Sequence, residues 1–143
     1  FPSAASELIL GSIGENISAS TLSEKNVHIG DTFRIGTVLA QVSQPRSPCW
    51  KINHRFGAPK MSTFVANHHI TGWYYRVLEA GHIQESDSIT LIDRQTERFS
   101  IDEFWRVQLS HRPDVADLEA IAKIPGLCPE WRHRIQGRAT RLA

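Results

Sequence analysis

The spacing of the apolar residues divides the chain into two parts that meet near residue 100. In the first part the apolar residues form short runs, several of them with the two-residue period of a β-strand. These runs predict strands over residues 37–44, 72–78 and 88–92. In the first of them Val38, Ala40 and Val42 share one face and Leu39 lies on the other, so this strand is expected to be buried on both sides.

Turn residues mark the other elements of this first part. The segment "NVHIGDTFRIG" has two apolar runs around Gly30-Asp31, which predict a hairpin turn. Pro45 is expected to end the strand that precedes it, because proline cannot donate to a strand ladder. The segment "MSTFVANHH", residues 61–69, fits a short helix.

After residue 100 the apolar spacing lengthens to that of amphipathic helices. Ser100 and Glu103 match a capping box at the start of a first helix, and Asp114 can cap a second. Pro129 stands where the first residue of a third helix is expected. The pattern predicts an α+β fold, with a mostly β part over residues 1–97 and a small three-helix segment over residues 98–143.

Composition narrows the class of protein without indicating an activity. With 143 residues and 41% hydrophobic residues, the chain suits one domain, or one small domain with an appendage, and is too apolar to be disordered. The formal net charge of +1 gives no sign of a nucleic-acid or acidic partner. No apolar run approaches the length of a membrane span, and no signal peptide is recognisable.

Cys49 and Cys128 are the two cysteines, too few for a disulfide framework or a four-cysteine zinc site. Reduced thiols in a cytoplasmic protein are therefore expected. Cys128 precedes a predicted helix and is interpreted as structural.

The surroundings of Cys49 predict a helix start. Ser47 is a favourable N-cap and Pro48 is favoured at the first helical position, so Cys49 would be the second residue of a helix closed by Gly57. Backbone N–H groups and the helix dipole favour a thiolate at such a position. Since nucleophilic attack and metal ligation both require the thiolate, Cys49 is a candidate for either role. The alternative is a small buried hydrophobic residue.

Four segments occur in a specific order, "GENIS" at 14–18, "IGDTFRIG" at 29–36, "QVSQPRSPCWKI" at 41–52 and "TGWYYRVLEAG" at 71–81. In this order they resemble the MOSC family, named after the C-terminal domain of molybdenum cofactor sulfurase, and most closely its YiiM-type branch. The three predicted helices resemble the small helical domain that follows MOSC in that branch. Family members usually begin upstream, with a Gly-rich "HGG"-like segment and more barrel strands. Nothing here matches that segment, so we expect the C-terminal portion of a longer protein, or a chain that lost its upstream part.

The resemblance implies a MOSC-type β-barrel, incomplete here, and a bound molybdenum cofactor (molybdopterin) with Cys49 as its protein ligand. It also implies an oxidoreductase that reduces N-hydroxylated compounds, including hydroxylamino purines, to amines. The electrons would come from a flavoprotein or a small electron carrier. We expect a small-molecule substrate and no membrane or nucleic-acid partner, and a homodimer is compatible with the sequence.

Four further residues are candidates around Cys49. Arg46 and Arg76 could contact the phosphate or the pterin of the cofactor, because guanidinium offers a fork of donors. Asn16, in the "GEN" turn, could hydrogen-bond the pterin or hold the loop that carries Cys49. His54 is a candidate for catalytic proton transfer, because imidazole groups titrate near neutral pH. Each has an ordinary alternative as a surface Arg, a turn Asn or an exposed His.

Three other interpretations stay open at this point. Cys49 could carry a persulfide or act as a redox thiol without molybdenum. The chain could be a non-catalytic fragment whose β surface pairs with an upstream segment. A zinc site from Cys49, His54 and one of the histidines at 68–69 is the least favoured, because no tight metal spacing is present.

Overall fold

The sheet is antiparallel, has four strands and does not close on itself. A computed structural model describes all residues from 1 to 143. The strands are β1 (Thr32–Ile35), β2 (Val38–Pro45), β3 (Trp73–Glu79) and β4 (Ile89–Asp93). Their order is β3-β2-β1-β4, so β2 is central and its C-terminal end, at Pro45, leads directly to Cys49.

The three predicted strands are present, and the central one is buried as expected on one face. Val38, Ala40 and Val42 are buried, whereas Leu39 on the other face is half-buried. Pro45 is the last residue of β2, as predicted. The alternating apolar pattern therefore located the strand that leads to the cysteine.

The hairpin predicted at Gly30-Asp31 is wrong, because the chain before this turn pairs elsewhere. The backbone N–H of Ile29 donates to the carbonyl of Phe99 at 3.1 Å, and His28 forms a bridge with Ser100. The observed hairpin joins β1 to β2, where Ile35 pairs with Val38. Residues 27–29 instead connect the sheet to the start of the helical segment.

Five α-helices complete the fold: α1 (Lys51–Arg55), α2 (Met61–Asn67), α3 (Ile101–Leu109), α4 (Val115–Lys123) and α5 (Pro129–Leu142). The predicted starts of the last three are confirmed, and the first two of these helices have the predicted caps. The Ser100 hydroxyl accepts the N–H of Glu103 at 3.2 Å, and Asp114 accepts the N–H of Ala116 at 2.9 Å. Pro129 is the first residue of α5. The α+β class predicted from the apolar pattern is therefore confirmed.

The sheet and the last three helices share one hydrophobic core. This core has 18 buried residues and includes Phe33 and Val42 from the sheet. Phe104, Trp105 and Trp131 meet edge to face within it, with ring centroids 5.1–5.8 Å apart. The predicted division near residues 97–98 falls between β4 and α3, but the core crosses it. None of the helices is long and apolar enough to cross a membrane.

Candidate functional site

A pocket of about 210 Å³ lies beside the end of β2, and Cys49 forms part of its wall. Most of the lining side chains are hydrophobic. The polar side chains on the wall are the guanidinium of Arg46, the thiol of Cys49 and the hydroxyl of Thr71. A small cluster of Ala4, Phe56, Ala58 and Met61 packs beneath it, separate from the main core. The pocket is therefore an apolar concavity with one cation and one thiol.

Cys49 lies in a loop rather than in a helix, so the predicted helix start is wrong. We call residues 46–50 the cysteine loop. Helix α1 begins at Lys51 after Trp50, and no side chain caps it. The carbonyl of Cys49 accepts the N–H of Ile52 at 3.1 Å, so Cys49 lies just before the first helical turn. Since α1 has only five residues, its dipole does not account for a thiolate here.

Two features of the cysteine loop and α1 agree with the sequence. Gly57 follows the end of α1 with φ of 53°, a conformation that glycine adopts without a Cβ clash. The side chain of Cys49 is exposed, whereas that of Cys128 is buried. Cys49 is thus the accessible thiol of the chain, and the interpretation of it as a buried hydrophobic residue is wrong.

Arg46 fixes the cysteine loop to two other segments. Its Nη2 donates to the carbonyl of Ile13 at 2.5 Å, and its backbone N–H donates to the carbonyl of Gly72 at 3.0 Å. The guanidinium forms no ion pair and keeps other N–H donors free. Arg46 can therefore hold the loop in place and still bind an anion at the pocket wall.

Glu15 organises the turn that receives Arg46. Its carboxylate accepts the N–H of Gly11 at 2.6 Å and that of Ile13 at 3.2 Å. Burial alone would raise the pKa of Glu15, but these hydrogen bonds and the charge of Arg46 outweigh it and lower the pKa below its ordinary value. Glu15 is therefore a structural carboxylate in this turn.

The C-terminal end of α2 builds another part of the wall. The N–H of His69 donates to Ala66 at 3.1 Å and that of Ile70 to Val65 at 3.2 Å, which is the hydrogen-bond pattern of a Schellman motif. His69 has φ of 59°, in the left-handed region usually taken by glycine. The motif brings Val65 and Ile70 together, and both line the pocket.

The structure brings Cys49 and Arg46 together and places the other three predicted site residues outside the pocket lining. Asn16 is exposed next to Glu15, and His54 is exposed on α1. Arg76 lies on β3, in register with Gln41, and its Nη1 donates to the carbonyl of Gly126 at 3.3 Å. Arg76 thus contacts the helical segment rather than the cysteine loop.

Several wall residues were not singled out from the sequence. Met61, Phe64 and Val65 follow the i, i+3, i+4 spacing of one helix face, which is a signal that could have identified them. Ile13 and Thr71 carry no such signal, because only tertiary folding brings them to Cys49.

The donor chemistry of this wall fits a metal that arrives with ligands of its own. No group of three His, Cys, Asp or Glu side chains is arranged to hold a metal ion. The protein offers one accessible sulfur, a soft ligand in its thiolate form, beside a guanidinium with free donors. A thiol and a guanidinium on one wall are compatible with a metal that arrives with an anionic organic cofactor, as a molybdenum cofactor would.

Comparisons with known proteins agree on the family. The model of the MOSC domain matches residues 3–90. Protein YiiM of Escherichia coli (strain K12) is 32% identical over 138 residues, covering 96% of this chain and 61% of that protein. Uncharacterized protein YflK of Bacillus subtilis (strain 168) is 34% identical over 129 residues, covering 90% of this chain and 58% of that protein. This chain spans about three fifths of the length of these relatives.

Solved structures give the same result for the fold. The crystal structure of YiiM from Escherichia coli has a TM-score of 0.91 at 31% identity, covering 99% of this chain and 70% of that one. The crystal structure of YiiM from Geobacillus stearothermophilus has a TM-score of 0.78 at 33% identity, covering 86% and 62%. Because the family model matches more than half of the chain and the relatives match nearly all of it, this chain belongs to the MOSC domain family.

Proposed function

We propose that this chain is the part of a MOSC-type oxidoreductase that carries the thiolate ligand of a molybdenum cofactor, and that the enzyme reduces N-hydroxylated compounds to amines. The observation that carries the proposal is the accessible thiol of Cys49 on the same, mostly apolar pocket wall as the guanidinium of Arg46. A relative from Gibberella moniliformis named "Reductase" supports an oxidoreductase. It is 38% identical over 99 residues, which are 68% of this chain and 18% of that protein.

Reduction of a hydroxylamine R–NHOH to R–NH₂ consumes two electrons and two protons and releases one water molecule. The cofactor would supply two-electron redox chemistry at this site, and the oxygen would leave as the water molecule. A flavoprotein or a small electron carrier would restore the electrons. Hydroxylamino purines are among the substrates that this chemistry would take.

The residues of this chain would bind the cofactor and shape the site around the reacting nitrogen. The thiolate of Cys49 would ligate the metal, and the free N–H donors of Arg46 would contact the anionic phosphate of the cofactor. The apolar wall beside them would exclude water around the reacting nitrogen. His54 does not line the pocket, so proton transfer from its ring would need bridging water.

Metal analysis of the full-length protein, produced in a host that makes molybdenum cofactor, tests the proposal. We expect about one molybdenum atom per chain, the stoichiometry of a single thiolate ligand, and reduction of a hydroxylamino purine with a reduced viologen dye as electron donor. C49S should lose molybdenum and activity while keeping its circular dichroism spectrum. The matched control is C128A, which removes the buried cysteine and should retain the metal.

Two outcomes would contradict the proposal. One is wild-type protein without molybdenum, and the other is C49S that retains it. If mass spectrometry finds one extra sulfur atom on Cys49 and no molybdenum is present, the thiol carries sulfur, and the persulfide interpretation replaces this one.

A further inference from the structure

A hydrogen-bonded path that is buried at its α3 end connects α3 to the first residue of the cysteine loop. The indole Nε1–H of Trp105 donates to the hydroxyl of Thr71 at 2.9 Å. The Thr71 hydroxyl donates in turn to the carbonyl of Gly72 at 3.0 Å, and the same carbonyl accepts the backbone N–H of Arg46 at 3.0 Å. Three consecutive hydrogen bonds thus lead from the helical segment to Arg46.

The two side chains on this path need each other as hydrogen-bond partners. Thr71 is 5% exposed and Trp105 is 8% exposed, so water cannot easily replace a lost partner. The indole N–H can only donate, which makes the Thr71 oxygen its acceptor and directs the single hydroxyl proton to Gly72. The hydroxyl of Thr71 therefore links the two ends of the path, and no other atom of its side chain can do so.

Residues 69–72, the segment that contains Thr71 and Gly72, make further contacts with the rest of the protein. The Nδ1 of His69 lies 2.9 Å from Oδ1 of Asp102 in the first turn of α3. The N–H of Gly72 donates to the carboxylate of Glu24 at 2.8 Å, and the backbone carbonyl of Glu24 accepts the N–H of Asp102 at 2.8 Å. Residues 69–72 are thus held by two side chains of α3, although α3 lies outside the residues that the MOSC model matches.

We propose that Trp105 and Thr71 are positioning residues for the cysteine loop, so that α3 contributes to the placement of Cys49. Trp105 lies outside the pocket lining, and the Thr71 side chain, which forms part of the wall, acts on the loop through the Gly72 carbonyl. Trp105 fixes the Thr71 hydroxyl, the hydroxyl fixes the Gly72 carbonyl, and this carbonyl fixes the backbone of Arg46, three residues before Cys49. The effect of these residues on catalysis rests on the proposed function. Their effect on the placement of Cys49 can be measured without any metal.

The test is the rate at which iodoacetamide alkylates Cys49 in the metal-free full-length protein, followed by peptide mass spectrometry. T71V removes the hydroxyl and keeps the shape, and W105F removes the N–H and keeps an aromatic ring. Both should change the rate by about threefold to tenfold, because Cys49 is already exposed and its reactivity depends on the loop conformation that this one net hydrogen bond helps to hold. T71S keeps the hydroxyl and should stay within about twofold of wild type.

W131F is the matched control for the aromatic core. Trp131 packs against Trp105 and Phe104 but takes no part in the path. W131F should lower the melting temperature and leave the alkylation rate of Cys49 at the wild-type value. The proposal is overturned if folded T71V and W105F keep the wild-type rate, or if T71S or W131F changes the rate as much as they do.

Molybdenum content gives a second measurement where the wild-type protein binds the metal. T71V should then lose occupancy at limiting cofactor, and T71S should retain it. If the wild type binds no molybdenum, the proposed function fails while the alkylation rates still decide whether α3 positions Cys49.

Discussion

Arg94 donates two parallel hydrogen bonds to the carboxylate of Asp31, from Nε to Oδ1 and from Nη2 to Oδ2, each 2.9 Å long. Asp31 is fully buried just before β1, and it also accepts the backbone N–H of His28 at 2.9 Å. The hydrogen bond with Asp31 raises the pKa of Arg94. This pair joins the segment after β4 to the turn before β1 on the inside of the protein.

We expect D31N to lower the free energy of unfolding by about 3 kcal/mol, because it leaves a partly buried guanidinium without its counter-charge. Denaturation with urea measures the change. Glu97 also contacts Arg94, at 3.3 Å, but its side chain is 84% exposed. E97Q is therefore the control and should change stability by less than about 0.5 kcal/mol. Equal effects of the two variants would show that burial of Asp31 does not set the strength of the pair.

The lowered pKa of Glu15 predicts a stability difference that depends on pH. Near and below its ordinary pKa of 4.5, the unfolded chain binds more protons at this carboxyl than the folded one. Its stabilisation is fully present above that value and is lost as the pH falls through the lower folded value. Wild type should therefore be more stable than E15Q at pH 7, by less than about 1 kcal/mol because the site is partly open to solvent.

Urea denaturation of wild type and E15Q at several pH values between 7 and about 3 measures this difference. The two curves should converge on the acid side. E7Q serves as the control, since Glu7 is exposed and accepts no hydrogen bond. A difference between wild type and E15Q that stays constant down to the lowest pH would contradict the assignment.

The contact between His69 and Asp102 should be measurable as a coupling energy. Both side chains are 18% exposed, and the imidazole donates to a carboxylate, so we expect the double-mutant cycle of H69A and D102A to give about 1–2 kcal/mol. The cycle of D102A with R106A is the comparison. Arg106 also binds Asp102 at 2.9 Å, but its side chain is 69% exposed, so about 0.3–0.5 kcal/mol is expected. If the exposed pair couples as strongly, partial burial contributes nothing here.

Gly30 and Gly137 should respond to alanine in opposite directions. Gly30 has φ of 85°, and a Cβ there would lie 2.5 Å from the carbonyl oxygen of Pro125. G30A should therefore destabilise the protein by about 2 kcal/mol or more, through both strain and collision. Gly137 lies within α5, where an added Cβ makes only an ordinary contact, so G137A should stabilise by about 0.5–1 kcal/mol. Thermal unfolding of both variants tests the pair, and stabilisation by G30A would disprove the packing at that turn.

Local signals in the sequence predicted those elements whose ends are set by their own residues. The alternation of Val38, Ala40 and Val42 gave β2, and Ser100, Asp114 and Pro129 gave the starts of the last three helices, because each cap acts within one turn. The start of α1 was predicted too early. Ser47 and Pro48 are good first-turn residues, but Arg46 is fixed to Ile13 and Gly72, and the chain becomes helical only at Lys51.

The site could be predicted from the sequence only in part. Cys49 and Arg46 are close in the chain, and their common place on the wall follows from the end of β2. Thr71 and Trp105 are 34 positions apart and meet only because the sheet and α3 share a core. No local sequence pattern predicts such a long-range contact. For the same reason the sequence could not show that Arg76, on the strand that pairs with β2, does not face the pocket.

The common core of the sheet and the helices has a consequence for how the protein can be altered. Layers that bury one another's apolar side chains are expected to melt cooperatively, as a single calorimetric transition rather than two. Shortening the chain at residue 90, where the MOSC match ends, would strip the sheet of Phe104, Trp105 and Trp131. A chimera that carries the last three helices of a relative would also need the relative's sheet residues that pack against those helices.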